Sequence, residues 1–197
     1  EAALLCSDLG HILLEDYPVL DSEALMDAFK VGLSVAPAGR IKMLESAFGK
    51  QLGDNDIEPL TSELARIGAA YPATAIGGWQ QQIGVAIRQV GYYMEENRID
   101  LLLSPVTSRP APEIGYFDFC PEQPSRALQR VADYLQFTWL WNSAGVPAMS
   151  VPLYWNRAGM PIGVQFIART GGESHLLRLA SQLELARPWR DRYPVLS

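Results

Sequence analysis

Serine and histidine are the side chains of this sequence with the types needed for hydrolytic chemistry. The stretch FTWLWNSAGVPAMSVPLYW, residues 137–155, holds Ser143 and Ser150 among three tryptophans. A nucleophilic serine needs a base within hydrogen-bond reach and donors for the oxyanion. Ser150 stands in P-A-M-S-V-P, not in the G-x-S-x-G turn that exposes such a serine. A pair formed with His175 is an alternative, but structural roles for both residues are the favoured interpretation.

Metal and thiol chemistry find little support either. His11 and His175 have no carboxylate at a ligand spacing such as H-E-x-x-H. The acidic run Asp54, Asp56 and Glu58 is typical of a solvated loop. Cys6 stands among leucines, which favours core packing, and Cys120 lies among acidic neighbours without CxxC spacing. From the residues alone we therefore expect no catalytic set and no metal site in this chain.

Composition and charge exclude several classes of protein. The 197 residues are 48% apolar, which is enough for one core, and the net charge of −6 argues against nucleic acid or anionic membrane as partners. No apolar run reaches the length of a membrane span. Two cysteines without a framework spacing favour a reducing, cytoplasmic setting. Prolines and glycines mark turns and no linker, so the chain is predicted to be a single piece, 1–197.

Periodicity places the elements that must position any site. A helix at 2–9 is followed by a predicted strand, His11–Glu15, and by a helix capped by Asp21 or Ser22 that runs to about Leu33. The remaining predicted helices are a helically spaced stretch at 41–48 and helices at 61–67, 73–97, from about 125, and 173–186.

The predicted strands carry the fold-class prediction. Ile99–Ser104 is a continuous apolar run, which predicts a strand covered on both faces. Residues 148–155 and 163–169 predict two strands joined by the turn NRAGMP, and Pro152 implies an edge strand or a bulge. Helices interleaved with buried strands indicate an α/β fold.

Three stretches resemble a known family. D-L-L-L-S-P-V-T, F-T-W-L-W-N-S-A-G-V-P-A-M-S-V-P with G-M-P-I-G-V-Q, and E-S-H-L-L are similar to the C-terminal part of the amidase signature family. The resemblance implies an α/β/α sandwich with a mixed β-sheet, acting on a carboxamide C–N bond through a Ser–Ser–Lys triad without a cofactor. The strand P-L-Y-W and the ending L-E-L-A-R-P-W look like the bacterial branch of cyclic amide hydrolases.

The triad of that family is missing from this chain. No G-G-S-S-G-G stretch occurs, and the three lysines, Lys30, Lys42 and Lys50, have no serine-rich partner. The sequence is therefore interpreted as the C-terminal portion of an amidase whose catalytic half is absent. Alone, it is expected to be inactive. The alternative is a noncatalytic remnant or partner-binding protein.

The resemblance also implies a pocket wall. The loop after the buried strand contributes Thr107, although Val106 stands where the family motif joins Pro105 directly to threonine. The segment leading into the asparagine of the second motif contributes further candidate substrate-binding residues: Thr138, Trp139, Trp141 and Asn142. A structural cap of the helix that ends before Gly145 is the alternative for the asparagine, and packing is the alternative for the tryptophans. The expected partners are a small amide and the missing N-terminal half, and a homodimer stays open.

Overall fold

The chain forms two compact units built from interleaved segments. The computed structural model describes residues 1–53 and 55–193. The first unit contains Glu1–Pro18, Val90–Pro112 and the segment that starts at Leu135, and the second contains Val19–Gln89 and Glu113–Tyr134. One boundary falls inside a helix, so no linker-like composition marks it in the sequence. That the chain is one piece of a single amidase domain stays a prediction.

Seven helices and three strands make up the described range. In chain order they are α1 (Ala2–Asp8), α2 (Ser22–Phe48), α3 (Pro59–Ala69), α4 (Ala73–Glu96), β1 (Leu101–Pro105), α5 (Pro124–Tyr134), α6 (Trp139–Ala144), β2 (Ala148–Trp155), β3 (Pro161–Ala168) and α7 (Glu173–Ala186). Among these described helices, none is both long and apolar enough to cross a bilayer.

Helix α2 begins as predicted and ends later. The Asp21 carboxylate accepts a hydrogen bond from the Ala24 N–H at 3.0 Å, which satisfies a donor of the first turn. The predicted end near Leu33 is wrong, because the helix continues through Pro37 to Phe48. Proline removes one backbone donor and crowds the carbonyl four residues earlier, but the flanking turns keep their own hydrogen bonds. Gly49 stops the helix with a left-handed φ of 63°.

Close backbone contact joins α2 to α3 in the second unit. A Cβ atom added to Gly68 would meet the carbonyl group of Ser34 and would lie 2.9 Å from the Val35 Cα. On α2 itself, a Cβ on Gly32 would stand 2.7 Å from the Trp79 ring, which is a contact with a side chain of α4. Helices approach this closely only where a side chain is missing.

The sheet of the first unit has the order β1–β3–β2. Both pairings are antiparallel, and Gln165 of β3 stands opposite Ser104 of β1 on one side and Ser150 of β2 on the other. The hairpin of β2 and β3 is confirmed, and so is the meaning of Pro152, since the register shifts between Val151 and Tyr154 on an edge strand. Near the end of β2, Arg187 lies over the Tyr154 ring and Arg192 over the Trp155 ring, at 4.3 Å and 4.1 Å.

One face of this sheet carries the apolar core. Side chains from β2 and β3 pack there against α1 and α7; the buried members are Cys6, Val151, Leu153, Val164, Phe166, Ala168, Leu176, Leu179 and Leu183. Because side chains alternate along a strand, Ser104, Ser150 and Gln165 point to the opposite face. The two faces therefore differ: α1 and α7 cover one, and the other carries a polar row.

Two strand predictions need correction. No strand forms at His11–Glu15; the segment has no regular secondary structure, and Ile12 is 99% exposed. A strand needs a neighbour to accept its hydrogen bonds, and the described residues supply none there. Strand β1 pairs with β3 alone within the described range, and Leu103 is 39% exposed, so β1 is an edge and is not covered on both faces.

Candidate functional site

The sheet separates the serine from the histidine of the alternative hydrolytic pair. Ser150 points away from the apolar core, whereas α7, which carries His175, packs against that core. The other histidine, His11, lies 3.0 Å from the Gln182 side-chain oxygen through its Nε2 atom. Within the part of the chain that the structure describes, neither imidazole serves a serine, so the structural interpretation of these residues is supported.

The lysines also lack the setting of a general base. A lysine acts as a base only where burial disfavours its charged form. The Lys30 amine lies 2.9 Å from Asp27 and the Lys50 amine lies 2.9 Å from Asp56, and the two lysine side chains are 60% and 56% exposed. Among the described residues, histidine, cysteine and acidic side chains form no cluster able to hold a metal ion.

Gln165 organises the polar face of the sheet. Its side chain is buried at 5% exposure, and its Nε2 atom donates to the Phe137 carbonyl at 2.7 Å and to the Ser104 hydroxyl at 2.9 Å. A third contact reaches the Pro105 carbonyl at 3.4 Å. Carbonyl oxygens only accept hydrogen bonds, so the chemistry of the partners fixes which end of the amide faces them. One side chain thus ties β3 to the end of β1 and to the segment before α6.

The candidate pocket residues follow directly after these contacts. Thr107 lies in the loop after β1, and its hydroxyl donates to the Arg109 carbonyl at 2.8 Å. Thr138 is the N-cap residue of α6 without a side-chain capping bond; its hydroxyl contacts the Leu135 carbonyl at 3.4 Å. The structure therefore brings the two predicted segments together through Gln165, while their contact with substrate stays a prediction.

The other three candidates lie on different faces of helix α6. Residues three and four positions apart share a helix face, which groups Thr138 with Trp141 and Asn142. Trp139 points elsewhere and is 8% exposed, so it packs in the interior and offers a ligand little surface. Trp141 is half-buried and Asn142 is exposed.

Asn142 does not cap the helix through its side chain. Gly145, with φ of 64°, ends α6 and donates its N–H to the backbone carbonyl of Asn142 at 3.3 Å. Within the described residues the Asn142 side-chain amide has no hydrogen-bond partner. The asparagine is therefore left with its donors and its acceptor available.

Sequence reasoning missed Gln165 and Ser104 as members of this site. A signal was present: Gln165 is the one polar side chain in the strand PIGVQFIA. A buried amide is costly unless it is hydrogen-bonded, so a lone glutamine within a buried strand indicates a specific polar contact.

A shallow cleft of about 440 Å³ lies beside α7. It is formed by the connection from α6 to β2 and by the first turn of α7, with the lining residues Gly145, Val146, Pro147, Ala148, Met149, Glu173, Leu176 and Leu177. None of the five candidate pocket residues lines it. Its lining is mostly apolar, with a single carboxylate.

Burial also decides the state of two titratable groups. Burial raises the pKa of the Cys6 thiol, and the side chain is 4% exposed. Burial first, and then the nearby Asp16 carboxylate, raises the pKa of the Tyr93 hydroxyl. Both groups therefore stay protonated at neutral pH and are unsuited to act as bases.

The two thiols should differ in reactivity. Cys6 should react with iodoacetamide at least about tenfold more slowly than Cys120, because a thiol that is buried and protonated is a poor nucleophile. Mass spectrometry of the native protein measures both rates, with unfolded protein as the control, in which the rates should converge. Equal labelling in the native state would contradict the core position of Cys6.

Comparison with known proteins identifies the class. Residues 38–177 match the amidase family model. The chain is 30% identical over 201 residues to the 6-aminohexanoate-cyclic-dimer hydrolase of Paenarthrobacter ureafaciens, covering 99% of this chain and 41% of that protein. A solved structure of 6-aminohexanoate cyclic dimer hydrolase with substrate superposes with a TM-score of 0.83 at 31% identity, over 98% of this chain and 41% of the other.

A more distant structure shares the fold. A bacterial aryl acylamidase of the amidase signature family superposes with a TM-score of 0.70 at 20% identity, over 95% of this chain and 39% of that one. The chain belongs to the amidase family, and its architecture is that of the amidase signature fold. The predicted family and α/β fold class are thus confirmed. The chain spans 41% of the length of the curated relative.

Proposed function

We propose that this chain supplies sheet core and substrate-pocket wall to an amidase that hydrolyses a carboxamide C–N bond. The attacking serine, the relay serine and the lysine base would come from outside residues 1–197. The observation that carries this proposal is the Gln165 contact, because it holds together the two segments that the family resemblance assigns to the pocket. The exposed, ion-paired Lys30 and Lys50 and the separation of Ser150 from His175 support the expectation that this chain lacks its own triad.

The role of the wall follows from its chemistry. An amide substrate offers one carbonyl acceptor and N–H donors. The free carboxamide of Asn142 presents the complementary donors and acceptor, and Trp141 on the same helix face offers apolar area. We infer that these groups orient the amide while the serine attacks. We also propose a bacterial setting, in keeping with the likeness to the Paenarthrobacter ureafaciens hydrolase, and a cytoplasmic location, in keeping with the free thiols of Cys6 and Cys120.

A second candidate function is a noncatalytic protein that binds a partner. The segment after α1 favours it, since Ile12, Leu14 and Tyr17 are 99%, 54% and 75% exposed. Apolar exposure on a contiguous stretch is typical of an interaction surface. The same surface would serve the first proposal if the occupant is an amidase N-terminal half. A second copy of the chain could also cover this surface, which would give a homodimer.

Reconstitution separates these proposals. We expect the purified chain to hydrolyse no simple carboxamide, such as an aryl acylamide or 6-aminohexanoate cyclic dimer, because it lacks the triad. Co-expression with a G-G-S-S-G-G-containing amidase half should give a stable complex with turnover that a serine reagent abolishes. The matched control is the same complex with the serines of that stretch replaced by alanine. Turnover by the chain alone would overturn the proposal, and a stable but inactive complex would support the noncatalytic alternative.

A further inference from the structure

The carboxamide of Gln165 connects two segments of the chain through hydrogen bonds. Its nitrogen has two hydrogens, and its two short contacts lead to different segments: Phe137 before α6 and Ser104 at the end of β1. The Ser104 hydroxyl uses its own hydrogen to bind the Pro105 carbonyl at 3.0 Å, so its lone pairs remain free to accept from Gln165. The three groups form a directed chain from β3 through Ser104 to the start of the loop that holds Thr107.

This arrangement is sensitive to the loss of one side chain. The Phe137 carbonyl accepts from the Gln165 amide at 2.7 Å and has no other donor among the described contacts. The Pro105 carbonyl also accepts from the Ser104 hydroxyl, so on that side the loss of Gln165 removes the donor to the Ser104 oxygen. A buried acceptor that loses its donor costs free energy, because it has given up water without gaining a hydrogen bond. If the Gln165 donor were removed, the Phe137 segment and the end of β1 would therefore each shift toward solvent. The two loops would then move independently, because the amide nitrogen is their shared contact.

We propose that Gln165 is a positioning residue for amide hydrolysis: it sets the spacing between Thr107 and the Thr138–Asn142 face of α6. Gln165 does not touch substrate and acts through those residues. The inference rests on the proposed function, because that function makes the two segments opposite sides of one pocket wall. On this inference Gln165 affects how tightly the substrate is bound and does not affect the attack on the C–N bond.

The first test measures positioning without any activity. Gln165→Met keeps the length and volume of the side chain and removes both N–H donors. Hydrogen exchange of the 197-residue chain should then rise about tenfold in peptides covering residues 101–107 and 137–145, with α7 unchanged. Ser104→Ala should raise exchange in residues 101–107 alone. Ser150→Ala, on the same face and opposite Gln165 in register, is the matched control and should change neither segment.

The second test uses the reconstituted complex. Gln165→Met should raise KM about tenfold for the amide that the complex hydrolyses and should leave kcat within about twofold. A residue that only stabilises the fold would instead lower the amount of active complex, which reduces the apparent kcat and leaves KM unchanged. Active-site titration with a serine reagent corrects for that amount.

The outcomes are separable. Exchange that is unchanged in both segments, or raised equally throughout the unit that contains the sheet, overturns the positioning role. Unchanged KM in an active Gln165→Met complex overturns its link to substrate. If exchange rises only in the two segments but the wild-type complex is inactive, Gln165 still holds the two segments together and the proposed function is refuted.

Discussion

Gly68→Ala should lower the free energy of unfolding by about 3 kcal/mol. The added Cβ would meet the Ser34 carbonyl group and would approach the Val35 Cα to 2.9 Å, and all of these are backbone atoms of α2. A flexible side chain can rotate away from an intruding methyl group, but a helix backbone can only separate from its neighbour. The contact between α2 and α3 would therefore open along its length.

The matched control lies on α2 itself. Gly39→Ala adds the same atom at an exposed helical position where nothing stands within 4 Å. It should stabilise the protein by about 0.5–1 kcal/mol, because alanine restricts the unfolded chain more than glycine does. Urea denaturation followed by circular dichroism measures both variants. Equal stabilities for the two variants would contradict the close approach of the two helices.

Leu183→Ala should be at least as damaging, with a loss of about 4 kcal/mol. The Leu183 side chain is 0% exposed and lies in the core between α7 and the sheet. Truncation removes buried methyl groups and leaves a cavity, since the surrounding strands are held by their hydrogen-bonded ladder and cannot collapse into it.

Leu185 on the same helix provides the control. It is 81% exposed, so Leu185→Ala should change stability by less than about 0.5 kcal/mol while altering helix propensity in the same way. Thermal unfolding of the two variants measures the difference. If Leu183→Ala were as stable as Leu185→Ala, the assignment of this face of α7 to the core would be wrong.

Local patterns predicted much of the fold. The α7 boundaries and the β2–β3 hairpin followed from apolar periodicity and a turn sequence, both of which lie within a few residues of what they determine. His11–Glu15 was mispredicted because a strand depends on a partner distant in sequence. The end of α2 was mispredicted for the opposite reason: a proline usually ends a helix, but Pro37 is tolerated inside α2.

The candidate site was only partly predictable. The family motifs pointed to Thr107 and to the start of α6, but they do not indicate which side chains are buried. Trp139 and Trp141 are alike in sequence, and only the packing of α6 distinguishes the interior ring from the half-buried one. Gln165 joins segments separated by 61 and 28 positions, a relation that no local pattern contains.

The prolines of the sheet have a consequence for aggregation. Strands β1 and β2 are the edges of the described sheet, and an edge with a full row of free N–H and C=O groups invites another chain to pair with it. Pro105 ends one edge, and Pro152 interrupts the other where its register shifts. Proline has no N–H to donate, so an incoming strand would lose the ladder at these points. Each edge of the described sheet therefore contains a proline at which pairing with an incoming strand would stop.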